Sequence, residues 1–221
     1  MLVDKRYDAR PDAKAAQFLA PYSATVDSMM SPVVGRTARF MASHRPESEL
    51  SNLLSDILAW ASAHFDEKVD FAVYNMGGIR AALPEGNVTV GDVLDVAPFE
   101  NKISFLTLSG DKVKELFEQM ARRGGEGVSA SVKLRITQDG RLVSASVAGK
   151  PIDDKTSYRI ATLDYLAQGN DELVAFKAKN NVVAPAGDDN NVRNIIMDYF
   201  REAAAKGMAV DSRMDGRIVK E

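Results

Sequence analysis

"SVKLRITQDGRLVSASVAGKPI", residues 131–152, decides the fold class. Apolar and polar residues alternate on both sides of Asp139-Gly140. Period-two alternation about a turn-forming pair predicts an antiparallel hairpin with a tight turn. The flanking chain reads as strand followed by helix, and a doubly wound parallel sheet would have only that pattern. The hairpin adds an antiparallel pair, so the expected class is α+β, a mixed sheet with packed helices.

Working outward, "VDFAVYN" (69–75) and "KISFLTLSG" (102–110) are compact apolar runs read as buried strands. "SGDKVKELFEQMARR" (109–123) follows as a helix with Val113, Leu116, Phe117, Met120 and Ala121 inward. Glu47 to Phe65 predicts a longer helix whose Leu50, Leu53, Leu54, Ile57, Leu58, Ala61 and Phe65 form one apolar face. After the hairpin come a strand in "SYRIATLDYLA" (157–167), a helix in "NNVRNIIMDYFREAAAK" (190–206) and a terminal strand in "GRIVKE" (216–221). At the other end a polar tail runs into a helix carrying Ala15, Phe18, Leu19, Tyr22 and Val26, with Pro21 expected to kink or break it. Residues 1–11 read as an arm or linker and 12–221 as one domain.

Composition narrows the chemistry. The chain has 221 residues, 45% of them apolar, and a formal net charge of −3. The charges are interleaved, which gives no groove for a nucleic-acid polymer and no basic membrane patch. There is no cysteine, so disulfides, thiolate metal sites and cysteine nucleophiles are excluded. No apolar run reaches the roughly 18 residues that would span a bilayer, and the opening residues lack the apolar centre of a signal peptide.

The chemistry-bearing stretch is "YNMGGIRAAL" (74–83), at the end of a buried strand. Gly77 and Gly78 permit unusual backbone angles and close approach to the main chain, and Arg80 offers a planar fork suited to phosphate or carboxylate. Asn75 can orient a ligand hydroxyl, because its amide both donates and accepts. The same residues would also serve as a turn with a solvent-exposed arginine. Two further strand boundaries carry an aromatic beside polar groups: Phe99 near Asn101 in "VAPFENKI" (96–103), and Tyr165 near Asp171 in "TLDYLAQGNDEL" (162–173). Aromatic faces stack on nucleobases and a carboxylate accepts from ribose hydroxyls, although taken singly such rings are more often core residues.

"NMGGIR", "GDVLDVAPFEN", "LSGDKVKELFE", "YRIATLDYLAQGND" and "DGRIV" occur in the order and approximate spacing of the C-terminal domain of the 5'-nucleotidase family, and the chain resembles that domain over about residues 12 to 221. The resemblance implies an α+β substrate-specificity domain. In it Phe99 and Tyr165 enclose the base, Asn101 contacts it, Asp171 binds the ribose, Arg80 binds the phosphate, and Asn75 is a further substrate contact. The sequence departs from the pattern in three places. Asn170 stands where the family has a second glycine before the aspartate, Tyr165 stands where phenylalanine is common, and only Arg45 precedes the Glu47–Phe65 helix where the family has upstream arginines. Arg45 is thus a candidate second phosphate ligand or a surface residue.

The larger family enzymes also resemble two-metal phosphatases in their N-terminal half. Here His44 and His64 are the two histidines, and no Asp-x-His or Asn-His-Glu/Asp grouping accompanies them, whereas a two-metal centre needs several convergent ligands. The expectation is a chain that binds a nucleoside or nucleoside 5'-monophosphate and does not hydrolyse it alone. It would hold no cofactor itself, and a separate metallophosphatase subunit would carry the divalent metals. The resemblance implies a periplasmic or cell-envelope location. A stand-alone nucleotide-binding module and a non-catalytic remnant are the alternatives.

Overall fold

The hairpin forms where the alternation places it. In the computed structural model, which describes residues 12–221, Val132, Leu134 and Ile136 are buried while Lys133 and Arg135 face outward, and Gly140 closes the turn at φ 81°. The expected arm at 1–11 lies outside the described residues.

In chain order the helices are α1 (Ala13–Met30), α2 (Glu49–Ala61), α3 (Val90–Val96), α4 (Gly110–Arg122), α5 (Asp164–Ala167) and α6 (Val192–Ala205). The strands are β1 (Val33–Thr37), β2 (Phe71–Tyr74), β3 (Gly86–Thr89), β4 (Ile103–Ser109), β5 (Gly127–Val128), β6 (Val132–Ile136), β7 (Leu142–Val147), β8 (Lys150–Pro151), β9 (Ser157–Leu163), β10 (Asn180–Val183) and β11 (Ile218–Lys220).

The central sheet has the order β10-β4-β9-β2-β5. β4 and β9 pair antiparallel from Ile103↔Leu163 to Ser109↔Ser157, and β2 lies parallel to β9. A second sheet, β11-β6-β7-β8, contains the hairpin, with β11 parallel to β6. β1 and β3 form a separate antiparallel pair. The chain is therefore α+β with mixed sheets. β2 buries all four of its residues and β4 five of its seven, which is why they read as compact apolar runs.

α2 packs on β2 and β5 through Leu50, Leu53, Leu54, Ile57, Leu58 and Ala61, each no more than 2% exposed. It is shorter than the Glu47–Phe65 pattern at both ends. The Ser48 hydroxyl and Ser51 make a reciprocal capping box at its start, satisfying N–H groups that have no partner within the helix. At its end the chain tightens into a 3-10 turn, Ser62–Phe65, and Asp66 adopts a left-handed φ of 56°. The inward face of α4 is the expected one.

α1 forms where a helix is expected. Pro21 lies inside the helix without ending it, and no residue of α1 is buried. Phe18, Leu19, Tyr22, Val26 and Met29 are all more than half exposed.

Candidate functional site

The site begins where β2 ends. Tyr74 is buried, which pushes its phenol above the ordinary range. Asn75 follows in extended conformation and leads into a single 3-10 turn, Met76–Gly78. Neither Gly77 nor Gly78 has a positive φ, so left-handed freedom is not what this loop takes from its glycines. Gly78 serves close approach instead: a Cβ there would lie 2.6 Å from Asn75 Oδ1. At Gly77 a Cβ would meet only Asp171 Oδ2, at 3.6 Å.

The Arg80 N–H donates to the Val96 carbonyl at 3.0 Å, which joins this loop to the end of α3 and brings Arg80 beside Phe99. The guanidinium carbon of Arg80 lies 5.7 Å from the Phe99 ring centroid, and its Nη1 donates to the Gly77 carbonyl at 3.2 Å. Arg80 has no carboxylate within salt-bridge distance among the described residues. Asn101 is held from both sides, because its carbonyl accepts from the Val192 N–H and the next residue, Lys102, donates its N–H to Asp164 Oδ1 at 3.0 Å. The latter bond fixes α5, and with it Tyr165.

Beyond α5 the chain turns sharply at Gly169 (φ 82°), Asp171 (53°) and Glu172 (59°). Asn170 is not left-handed. This departure from the glycine pattern therefore sets no backbone strain, and the Asn170 Nδ2 donates to the Tyr165 carbonyl at 2.8 Å, tying the turn to the aromatic. The Tyr165 hydroxyl donates to Asp171 Oδ1 at 3.0 Å and Asn75 Nδ2 donates to Asp171 Oδ2 at 2.9 Å. The bond to Asp171, aided by desolvation, raises the Tyr165 phenol above its usual range. Asn75 Oδ1 is buried with no hydrogen-bond partner among the described residues, a buried acceptor facing the cost of lost hydration unless a donor reaches it.

Asn75, Gly77, Gly78, Arg80, Phe99, Asn101, Tyr165 and Asp171 together line one cavity of about 280 Å³. Phe99 and Tyr165 are 48% and 38% exposed, so neither ring is core. Arg45 is not among these lining residues. Its Nη2 lies 2.7 Å from Glu126 Oε1. A larger cleft of about 470 Å³ between α2 and α6 is lined by Trp60, His64, Asp198 and Glu202 among others, but those two carboxylates are already paired with Arg201 and Lys206, and none of the residues above reaches it.

Sequence reasoning passed over Glu126 and Arg123. Glu126 is 1% exposed and accepts from the Met76 N–H and from Arg123 Nε, both at 2.7 Å. Burial is the largest single influence on Arg123 and opposes its charge, but the hydrogen bond to Glu126 and the negative charges of Glu126, Asp171 and Glu172 together outweigh it, so the guanidinium titrates above its ordinary value. The available signal was "RRGGEG" (122–127), a second glycine pair among charges, but its spacing gives no indication that it meets the first.

Divalent metal does not fit the groups of the described residues. Among the described residues no cluster of three or more His, Asp or Glu is placed to hold an ion, and His64 packs its ring 4.4 Å from Trp60.

A family model described as "5'-nucleotidase, C-terminal domain" matches residues 31–178. The trifunctional nucleotide phosphoesterase protein YfkN of Bacillus subtilis is 27% identical over 98% of this chain and 16% of its own length. Protein UshA of Yersinia enterocolitica is 36% identical over 46% of this chain and 19% of its own. Among solved structures, the 5'-nucleotidase precursor from Thermus thermophilus superposes with a TM-score of 0.82 at 25% identity, over 96% of this chain and 44% of that one. The chain thus spans under half the length of each of these proteins.

Proposed function

Because the chain belongs to the 5'-nucleotidase C-terminal domain family, we propose that its cavity binds a nucleoside or nucleoside 5'-monophosphate as the substrate-specificity half of a 5'-nucleotidase. The observation that carries this reading is the convergence of Asn75–Arg80, Phe99–Asn101 and Tyr165–Asp171 on one cavity. Those segments bring two exposed aromatic faces, an amide, a carboxylate and an arginine without a carboxylate partner among the described residues, which are the groups that base, ribose and phosphate require.

In this reading Phe99 and Tyr165 hold the base by stacking and Asn101 meets its edge. Asp171 keeps acceptor capacity on both oxygens beyond the bonds it makes to Tyr165 and Asn75, which suits vicinal hydroxyls. Arg80 faces the phosphate and balances its charge. Asn75 Oδ1 accepts a donor from the ligand. Since the described residues offer no metal cluster, hydrolysis of nucleoside 5'-phosphates is assigned to the pair formed with a separate metallophosphatase chain carrying the divalent metals. A periplasmic or cell-envelope location belongs to the same reading. Among the described residues, no helix is long and apolar enough to cross a membrane.

A stand-alone nucleotide-binding module is the second reading, favoured by the fact that every group invoked for binding lies within this chain. The test is isothermal titration with adenosine and AMP, with and without Mg²⁺, for the wild type and Phe99→Ala. Metal-independent binding is expected, weakened by about 1–3 kcal/mol in the variant with little change in melting temperature. Retained affinity in the variant would refute the stacking assignment. Phosphate release from AMP by this chain alone would refute the division of labour, and release only after adding a metallophosphatase chain would favour the first reading over the second.

A further inference from the structure

We infer that Glu126 is a positioning residue for the phosphate-facing loop, and that Arg45 and Arg123 are its braces; the inference rests on the nucleotide reading of the cavity. Three separate parts of the chain meet on this one buried carboxylate. Oε2 accepts from the Met76 N–H at the start of the glycine loop. Oε1 accepts from Arg45 Nη2, which precedes α2, and from Arg123 Nε, which follows α4. The side chain of Glu126 has no solvent exposure, so these bonds are its replacement for hydration.

The network continues to the ligand side. Arg123 Nη2 lies 3.7 Å from Asp171 Oδ2, and that oxygen also accepts from Asn75 Nδ2. A closed circuit therefore runs from Met76 to Glu126, Arg123, Asp171 and Asn75, and back along the backbone to Met76. Two arginines, Arg45 and Arg123, are matched by two carboxylates, Glu126 and Asp171. Arg80 stands outside the circuit, on the loop that the circuit holds. The division of roles follows from this count: the paired cations fix geometry, and the cation without a carboxylate partner among the described residues meets the phosphate.

Glutamine cannot replace Glu126. It has nearly the same shape, but its amide presents one acceptor where the site presents donors on both sides. Either the Met76 N–H or the arginine pair then faces another donor. In Glu126→Gln the loop should shift relative to the ring end of the cavity. The ratio of AMP to adenosine affinity is expected to fall about tenfold, the scale of one lost charge-assisted bond, and the Met76 amide should exchange hydrogen faster.

A role confined to stability would lower the melting temperature while leaving that ratio unchanged, and this outcome would overturn the inference. Arg45→Gln and Arg123→Gln provide the companion measurement. Loss of a brace should move the ratio in the same direction as Glu126→Gln, whereas an unchanged ratio in both variants would remove them from the circuit. If the wild type binds neither ligand, the nucleotide reading itself fails. Exchange at the Met76 amide then decides the positioning role alone, since equal protection in wild type and Glu126→Gln would refute it without any ligand present.

Discussion

At Gly78 the site has no room for a methyl group. A Cβ would sit 2.6 Å from Asn75 Oδ1 and 3.1 Å from the amide carbon and nitrogen, and Asn75 is buried and tied to Asp171, so neither partner can yield freely. Gly78→Ala should displace the Asn75 amide, destabilise the fold by about 1–3 kcal/mol and weaken adenosine binding. Calorimetric titration and urea unfolding of the same sample measure both effects, and a variant with wild-type values would show that the amide position is not critical. The residues lining the cavity were legible because each is a chemically conspicuous type beside a strand end: Phe99 next to a proline, Tyr165 before a polar turn, Arg80 behind paired glycines. The physical reason for the glycines was not legible. It depends on the rotamer of a neighbouring side chain, whereas the sequence shows only that two residues lack a Cβ. Glu126 was missed for a related reason, since its neighbour Arg123 shows only an ordinary local pair, and nothing local marks an acid that will also be buried on the distant Arg45 and the Met76 N–H.

Arg217 shows how the elements around the site are locked together. Its side chain is 4% exposed, and it donates to both oxygens of Asp56 on α2 at 2.8 and 2.7 Å and to the Val128 carbonyl of β5 at 2.9 Å. The residue just ahead of β11 thereby fastens the second sheet to the helix and strand that flank Glu126. Arg217→Ala leaves the Val128 carbonyl and Asp56 without this donor. Because Asp56 keeps some access to water, the expected loss is about 2–3 kcal/mol rather than the full cost of a buried orphan charge, read as a lower urea midpoint. A loss below about 0.5 kcal/mol, the level of an ordinary surface substitution, would contradict this account. At this scale the sequence was most informative where periodicity is strong, as in α2, α4, α6, β4, β9 and the hairpin. It was silent on β10, whose four residues are all exposed and so show no alternation, and on β5, which is two residues long. The stripe on α1 had a helical period, but period alone does not say whether a face is covered, and this one is exposed.

Over the whole molecule, three segments as far apart in sequence as residues 75 and 171 form one cavity because β2, β9 and β4 are neighbours in the central sheet, so the ends of β2 and β9 lie beside the start of antiparallel β4. The loops that leave β2 and β9 meet the loop that enters β4, because β4 runs antiparallel to β9 with Ile103 opposite Leu163, and this makes the site a property of the entire fold rather than of a motif. It also separates two kinds of attraction. Phe99 and Tyr165 act only on contact, while Arg80 is exposed and has no carboxylate partner among the described residues, so its field reaches solvent before a ligand arrives. The consequence lies in time rather than in affinity. Charge acting through water is screened over about 8 Å at physiological ionic strength, whereas stacking is not. Raising salt should therefore slow the arrival of AMP while leaving the arrival of adenosine nearly constant, and the residence of either on the rings should change little. Stopped-flow association measured from low to high salt would show the two ligands converging on one rate. Parallel curves for the two ligands would mean that the arginine is felt only after docking.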